Sequence, residues 1–184
     1  MLPTRALVTD IGNDILYGEP VERIAEWVAE CIARLRDYGA QVSLTQLPVE
    51  NLPALSPLRF TMFRQLFFPR CRLTHGETCQ RAIELNERVV EVANRHKIQA
   101  ISHVRAWYGL DPIHFKRCHR ATAWSEILAP LVGDQGGTQP PRKSWSRAAY
   151  LRSLAPAERW LLGVRSARVQ PAGRLRDGTT ISLY

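Results

Sequence analysis

A chain of 184 residues and 20.9 kDa is sized for one globular domain with an appendage, not for two full domains. Its 45% hydrophobic and 23% charged content, with 11 Gly and 12 Pro, excludes the disordered, collagen-like and low-complexity classes. The net charge of +8 is uneven: residues 1–132 hold 16 basic and 14 acidic side chains while residues 133–184 hold 9 and 3, so the excess belongs to the C-terminal third.

In chain order, Ala6-Leu7-Val8-Thr9-Asp10-Ile11 reads as a short buried strand closed by the turn Gly12-Asn13-Asp14. Pro20 at the first helical position, Glu19 and Glu22 near it, and Val21, Ile24, Val28, Cys31, Ile32 and Leu35 at three- and four-residue spacing predict a one-faced helix ending at Gly39. Ala40 to Thr45 is a second strand, followed by a loop rich in Pro and Leu. Ser56-Pro57 opens an apolar helix through Phe60, Phe63, Leu66 and Phe67 that stops near Pro69. Thr74 and Glu77 form a capping box for the next helix, whose apolar stripe is read as Cys79, Ile83, Asn86, Val90 and Ala93. A polar group on such a stripe is costly unless bonded, so Asn86 is expected to have a partner.

Ile98 to Ser102 is a third strand, leading to the loop Trp107-Tyr108-Gly109-Leu110-Asp111-Pro112-Ile113-His114 and a helix to about Leu131. Strands alternating with helices imply a parallel sheet with right-handed crossovers and helices on both faces. The expected organisation is an α/β core over residues 1–132, a linker over 133–143 and a basic α+β extension over 144–184. In that extension 144–163 reads as helix interrupted near Pro156, and two short strands flank the Asp177-Gly178 turn.

In an open parallel sheet the working groups collect at the carboxyl ends of the strands. Two loops qualify, one carrying Gly12-Asn13-Asp14 and one carrying Asp111 and His114. A His is a general base, a carboxylate three residues earlier can hold its ring, and an Asn amide can donate to a developing oxyanion. The stretch Thr9-Asp10-Ile11-Gly12-Asn13-Asp14-Ile15, followed by Asp111-Pro112-Ile113-His114, resembles the SGNH (GDSL-type) hydrolases, in which an Asn-Asp turn and a D-x-x-H loop are two of four signature blocks. The resemblance covers roughly residues 4–131 and implies a flavodoxin-like three-layer α/β/α core with a parallel sheet, acting on carboxylic or carbohydrate esters. It implies His114 as base, Asp111 orienting it and Asn13 with a main-chain N–H in the oxyanion hole. Gly12 and Asp14 would stand on the oxyanion side, and the Leu85-Asn86 pair is familiar from the family as a packing feature. Trp107 and Tyr108 either wall a substrate pocket or pack.

The chain departs from the family pattern in several places. Ile11 stands where the family usually has Gly, with Gly12 adjacent, and neither Gly-Asp-Ser nor Gly-x-Ser-x-Gly occurs. The nucleophile block and the second block, with the family's first two strands, are missing ahead of Ala6, and Ser102 is the sole serine at a strand end. An apolar strand from Ala6 to Ile11 would then have an unpaired edge. The expectation is that Met1 is internal to a longer gene; a decayed remnant, or a partner chain or the C-terminal hairpin at that edge, are the alternatives. The simpler readings also stand: Asn13-Asp14 as a plain turn, and Asp111-Pro112 as a helix start with His114 in its first turn.

Cys71-x3-His75-x3-Cys79, with Cys118 and His119, fits no common zinc spacing, so no metal or cofactor is expected. His96 and His103 read as surface or structural. Four cysteines in a chain of this length, no apolar run of membrane-spanning length and no secretory signal point to a cytoplasmic protein without a membrane span. Two functions follow: an SGNH-type ester hydrolase acting on a small-molecule ester, without its own serine, or a non-catalytic protein whose Arg-rich C-terminal segment binds nucleic acid or another polyanion. A solvated face is the more frequent fate of such a segment, so nucleic acid is the lesser expectation.

Overall fold

The computed structural model describes residues 4–109, 114–132, 144–161 and 164–184. The chain divides into two compact units, Met1–Pro140 and Pro141–Tyr184. It is a mixed α/β protein.

In the first unit β1 (Arg5–Val8), β2 (Gln41–Thr45) and β3 (Gln99–Ile101) form a parallel sheet in the order β1-β2-β3, with Ala6 opposite Val42 and Leu44 opposite Ala100. The crossover from β1 to β2 is α1 (Val21–Asp37), and the longer one from β2 to β3 carries α2 (Pro57–Phe67) and α3 (His75–His96). α4 (Arg120–Val132) follows the sheet. The period-two alternation of the strands sorts their side chains. Ala6, Val8, Val42, Leu44 and Ala100 join the core built by Ile24, Val28 and Ile32 of α1 and Leu85, Val89 and Ala93 of α3. Leu7 and Ile101 instead meet Trp107, Tyr108 and, from α4, Ala123 and Ile127. Ala123 is fully buried and has only a methyl group, which lets α4 come close.

Several elements differ from the sequence expectation. The first strand ends at Val8, and Ile11–Tyr17 is a 3-10 helix where a bare turn was expected. Asp10 causes the change: its φ of 60° is left-handed, a conformation Asp tolerates better than most residues, and it turns the chain so that Ile11 and Ile15 both point into the core. On α3 the capping box of Thr74 and Glu77 forms, the bond from the Thr74 N–H holding the Glu77 carboxyl below its usual range. The buried stripe, however, is Ala82, Leu85, Val89, Val92 and Ala93, one position round from the expected one, and Ile83 is exposed. Both stripes have helical spacing, and the fully buried Leu85 and Val89 decide between them.

Asn86 lies on the flank of that stripe, where its Oδ1 accepts a hydrogen bond of 2.9 Å from the Leu47 main-chain N–H. The expected partner exists, and it pins the segment after β2 to α3. An Asn86→Leu substitution leaves the Leu47 N–H without an acceptor and is expected to lower stability by about 1–3 kcal/mol in urea unfolding. A cost below about 0.5 kcal/mol would mean that water replaces the bond.

In the second unit the expected helix over 144–163 is shorter: α5 spans Trp145–Ser153, capped by Ser144. Leu154 is already extended, Pro156 cannot continue a helix, and the chain turns back as an antiparallel hairpin of β4 (Glu158–Leu161) and β5 (Val164–Ala167). The terminal hairpin, β6 (Gly173–Arg174) and β7 (Thr180–Ile181), forms around Asp177-Gly178 as expected, with Gly178 at φ 88°. The Tyr150 hydroxyl ties α5 to it, accepting from the Arg174 N–H at 2.9 Å and donating to the Arg174 carbonyl at 3.2 Å.

Candidate functional site

The segments leaving β1, β2 and β3 at their carboxyl ends surround a cleft of about 430 Å³. Thr9, Asp10, Gly12 and Asn13 come from the first segment, Gln46, Leu47 and Pro48 from the second and His103 from the third. Tyr108, His114, Phe115 and, from α4, Arg120 and Trp124 complete the wall.

Each position has a local cause. The left-handed turn at Asp10 starts the 3-10 helix on which Gly12 and Asn13 stand. A Cβ at Gly12 would sit 3.2 Å from Leu47 Cδ2, so the glycine lets this turn lie close to the Asn86-bound segment without a shift of a few tenths of an ångström in the Leu47 side chain. Asn13 is exposed, and among the described residues nothing hydrogen-bonds its side-chain amide. On the other wall Tyr108 and Phe115 make an isolated antiparallel bridge and the Lys116 N–H donates to the Trp107 carbonyl at 2.8 Å. That bridge anchors His114, the residue before Phe115, at the cleft. His114 is exposed and stands outside any helix, since α4 begins only at Arg120.

Gly12, Asn13, Tyr108 and His114 therefore line one cleft although about a hundred residues separate the first pair from the second. Asp14 and Trp107 are not among the lining residues. The Asp14 main-chain carbonyl accepts from Gly18 and Glu19, and the Trp107 ring is buried beside α4. Asp111 lies outside the described residues. Ser102 is exposed at the end of β3 and does not line the cleft.

His103, which the sequence places among surface or structural histidines, lines the cleft. Its Nδ1 lies 2.6 Å from the Tyr108 hydroxyl, and its ring meets those of Trp107, Tyr108 and Phe115 at centroid distances of 6.1, 5.8 and 5.8 Å. Burial lowers the imidazole below its ordinary value, against a hydrogen bond to the Gln46 main chain and the Asp10 carboxylate, which act the other way. Burial, with Asp10, raises the Tyr108 phenol. The Tyr108 hydroxyl and Nδ1 share this hydrogen bond, and the pair forms a polar part of the cleft wall. The signal was its place one residue beyond Ser102 at a strand end; a five-residue separation across a 3-10 turn leaves no periodicity to notice.

The lowered imidazole makes a prediction about pH. His103 protonates more readily unfolded than folded, so its contribution to stability is complete above its unfolded value of about 6.5. It is lost as the pH falls from there through the folded value. Urea midpoints on either side of that pH should show the chain losing stability on the acid side and His103→Gln losing less; equal losses would contradict the assignment.

His75 and Cys79 sit one turn apart on α3 with Nε2 to Sγ at 3.5 Å, and desolvation raises the Cys79 thiol. Among the described residues no group of three or more His, Cys, Asp or Glu is placed to hold a metal ion, and no helix is long and apolar enough to cross a membrane. Comparison of the chain with protein families, with characterised proteins and with solved structures finds no match.

Proposed function

We propose that the cleft is the oxyanion and base portion of an SGNH-type ester hydrolase site, carried on a flavodoxin-like three-layer core. The observation that carries this reading is that Asn13 and His114, from opposite ends of the core sequence, line the same cleft beyond the carboxyl ends of parallel strands. His114 takes the proton of an attacking hydroxyl as its oxygen bonds to the ester carbonyl carbon. The electron pair displaced onto the carbonyl oxygen is met by the Asn13 amide and a main-chain N–H. Collapse then expels the alcohol, which takes the proton back from His114. Asp111 would orient the His114 ring, and the aromatic wall of Tyr108, Phe115 and Trp124 would pack against the ester's apolar part.

Among the described residues no serine lines the cleft. Under this reading the nucleophilic serine arrives on a strand added to the outer edge of β1, where Ala6, Leu7 and Val8 are half-buried and no described strand pairs. The chain alone should then hydrolyse p-nitrophenyl acetate slowly, with water as the nucleophile, and resist labelling by a fluorophosphonate. A labelled serine would overturn the assignment of the nucleophile to another segment. A rate equal to that of the unfolded chain would overturn the site itself.

The exposed Trp145 and Trp160, in the same unit as the exposed Arg152, Arg159, Arg168 and Arg176, favour a second reading for the C-terminal unit, as a binder of single-stranded nucleic acid. Its affinity would fall steeply with salt and drop roughly tenfold in Trp160→Ala. Binding indifferent to both would remove it.

A further inference from the structure

The sequence from residue 51 to residue 76 contains Arg59, Arg64, Arg70 and Arg72 and no acidic residue. α2 lies within it and buries one side chain, Phe60. Leu58, Met62 and Leu66, at positions i, i+4 and i+8, make one exposed ridge, and Phe63 and Phe67 make a second beside it. Leu58 is 74% and Leu66 71% exposed. The Phe63 and Phe67 rings stack at 6.3 Å, and at the C-terminal end the exposed Tyr17 meets Phe68 edge-on at 5.2 Å. A helix on a water-facing surface ordinarily turns charged residues outward. This one turns out five large apolar side chains.

We propose that α2 is a membrane-surface anchor that lies in the headgroup region of an anionic bilayer. The apolar ridges supply the buried face of an interfacial helix, and Arg59, Arg70 and Arg72 supply the attraction to anionic headgroups. Arg64 is committed elsewhere, donating to the Cys71 main-chain carbonyl. Arg59, Arg70 and Arg72 are exposed, and no described carboxylate pairs with them. Arg59 lies between the two ridges, where its stem can follow apolar surface while the guanidinium reaches phosphate. The same charge argues against a second copy of the chain. A two-fold contact through this face would bring the arginines of one copy against those of the other with no acidic residue between 51 and 76 to relieve them. The inference rests on α2 and is independent of the cleft's chemistry.

The test is co-sedimentation of the full chain with large vesicles of phosphatidylcholine and phosphatidylglycerol in equal parts, against vesicles of phosphatidylcholine alone. The chain should sediment with the anionic vesicles and much less with the neutral ones. The basic C-terminal unit would attract the same vesicles, so the deciding variant keeps every charge. Met62→Ser with Leu66→Ser should lower partitioning roughly tenfold or more with the circular dichroism unchanged. A second variant, Arg59→Gln with Arg70→Gln, keeps the ridges and should reduce the preference for anionic over neutral vesicles; it decides the matter if the first fails to fold. Binding of Met62→Ser/Leu66→Ser equal to the parent's would overturn the proposal, as would a parent that ignores anionic vesicles. A parent that sediments as a dimer, and a monomeric double variant, would give the face to a second copy.

Discussion

Leu85→Ala is expected to cost about 2–5 kcal/mol of folding stability, measured by urea unfolding, whereas Ile83→Ala, two residues away on the same helix, should cost less than about 1 kcal/mol. Leu85 is fully buried where α3 meets α1 and the β2 face of the sheet, packed in one core with Ile24, Val28, Ile32, Leu44 and Val89. Removing its isobutyl group leaves a hole lined by three different elements, none of which can collapse into it without disturbing the other two. Ile83 is 43% exposed, so water already covers much of what the substitution removes. The pair discriminates between the two stripes that α3 offers. A larger cost at Ile83 than at Leu85 would mean that α3 is rotated by about one residue relative to the sheet.

The second large effect is expected at the cleft. If the Asn13 amide and the His114 ring act on the same ester, Asn13→Ala and His114→Ala should each lower the slow hydrolysis of p-nitrophenyl acetate roughly a hundredfold. The double variant should be little worse than either single one, because groups that act in one transition state are not additive. Neither change should unfold the protein, since both side chains are exposed. Losses that multiply, or a fall in melting temperature in proportion to the fall in rate, would point to structural roles. Tyr108→Phe serves as a control. It removes a hydroxyl bonded to His103 and should cost stability, about 1 kcal/mol, before it costs rate.

How far the sequence led depends on the kind of signal each element carried. The order of strands and helices in the first unit was legible because Pro20, Ser56-Pro57, the Thr74–Glu77 box and Gly39 are start and stop signals that act locally. The face of α3 was less so. Cys79, Ile83, Val90 and Ala93 recur at helical spacing as well as Ala82, Leu85, Val89 and Val92 do, and the choice between the sets is made by packing with α1 and the sheet. The 3-10 helix after β1 depends on a left-handed Asp10, which no hydrophobic period announces. The hairpin of β4 and β5 was hidden for the opposite reason. Trp160, Leu161 and Val164 carry an apolar signal compatible with either period, and Pro156 is as consistent with an interrupted helix as with a helix stop.

At the cleft, the chemical types at Gly12, Asn13 and His114 could be named from the sequence because strand-end loops collect functional groups. The same rule placed no limit on which loop residues turn inward. Asp14 is not among the lining residues, Trp107 turns elsewhere because core packing claims its ring, and His103 comes to the cleft because the short turn at Arg105–Trp107 brings Tyr108 back to its ring. The exposure of the α2 ridge was also invisible in the sequence, where Phe63, Leu66 and Phe67 look like any core-facing set.

The central claim is that Asn13 and His114 form one ester-processing cleft, and chemical rescue tests it most directly. Hydrolysis of p-nitrophenyl acetate by His114→Ala would be measured with increasing free imidazole, beside the same titration of Asn13→Ala. The account predicts that imidazole restores a saturable part of the rate to His114→Ala, by entering the space the ring has left, and gives Asn13→Ala only the increment it gives the unfolded chain. Equal, unsaturable increments in both variants, or a His114→Ala rate no lower than the parent's, would contradict it.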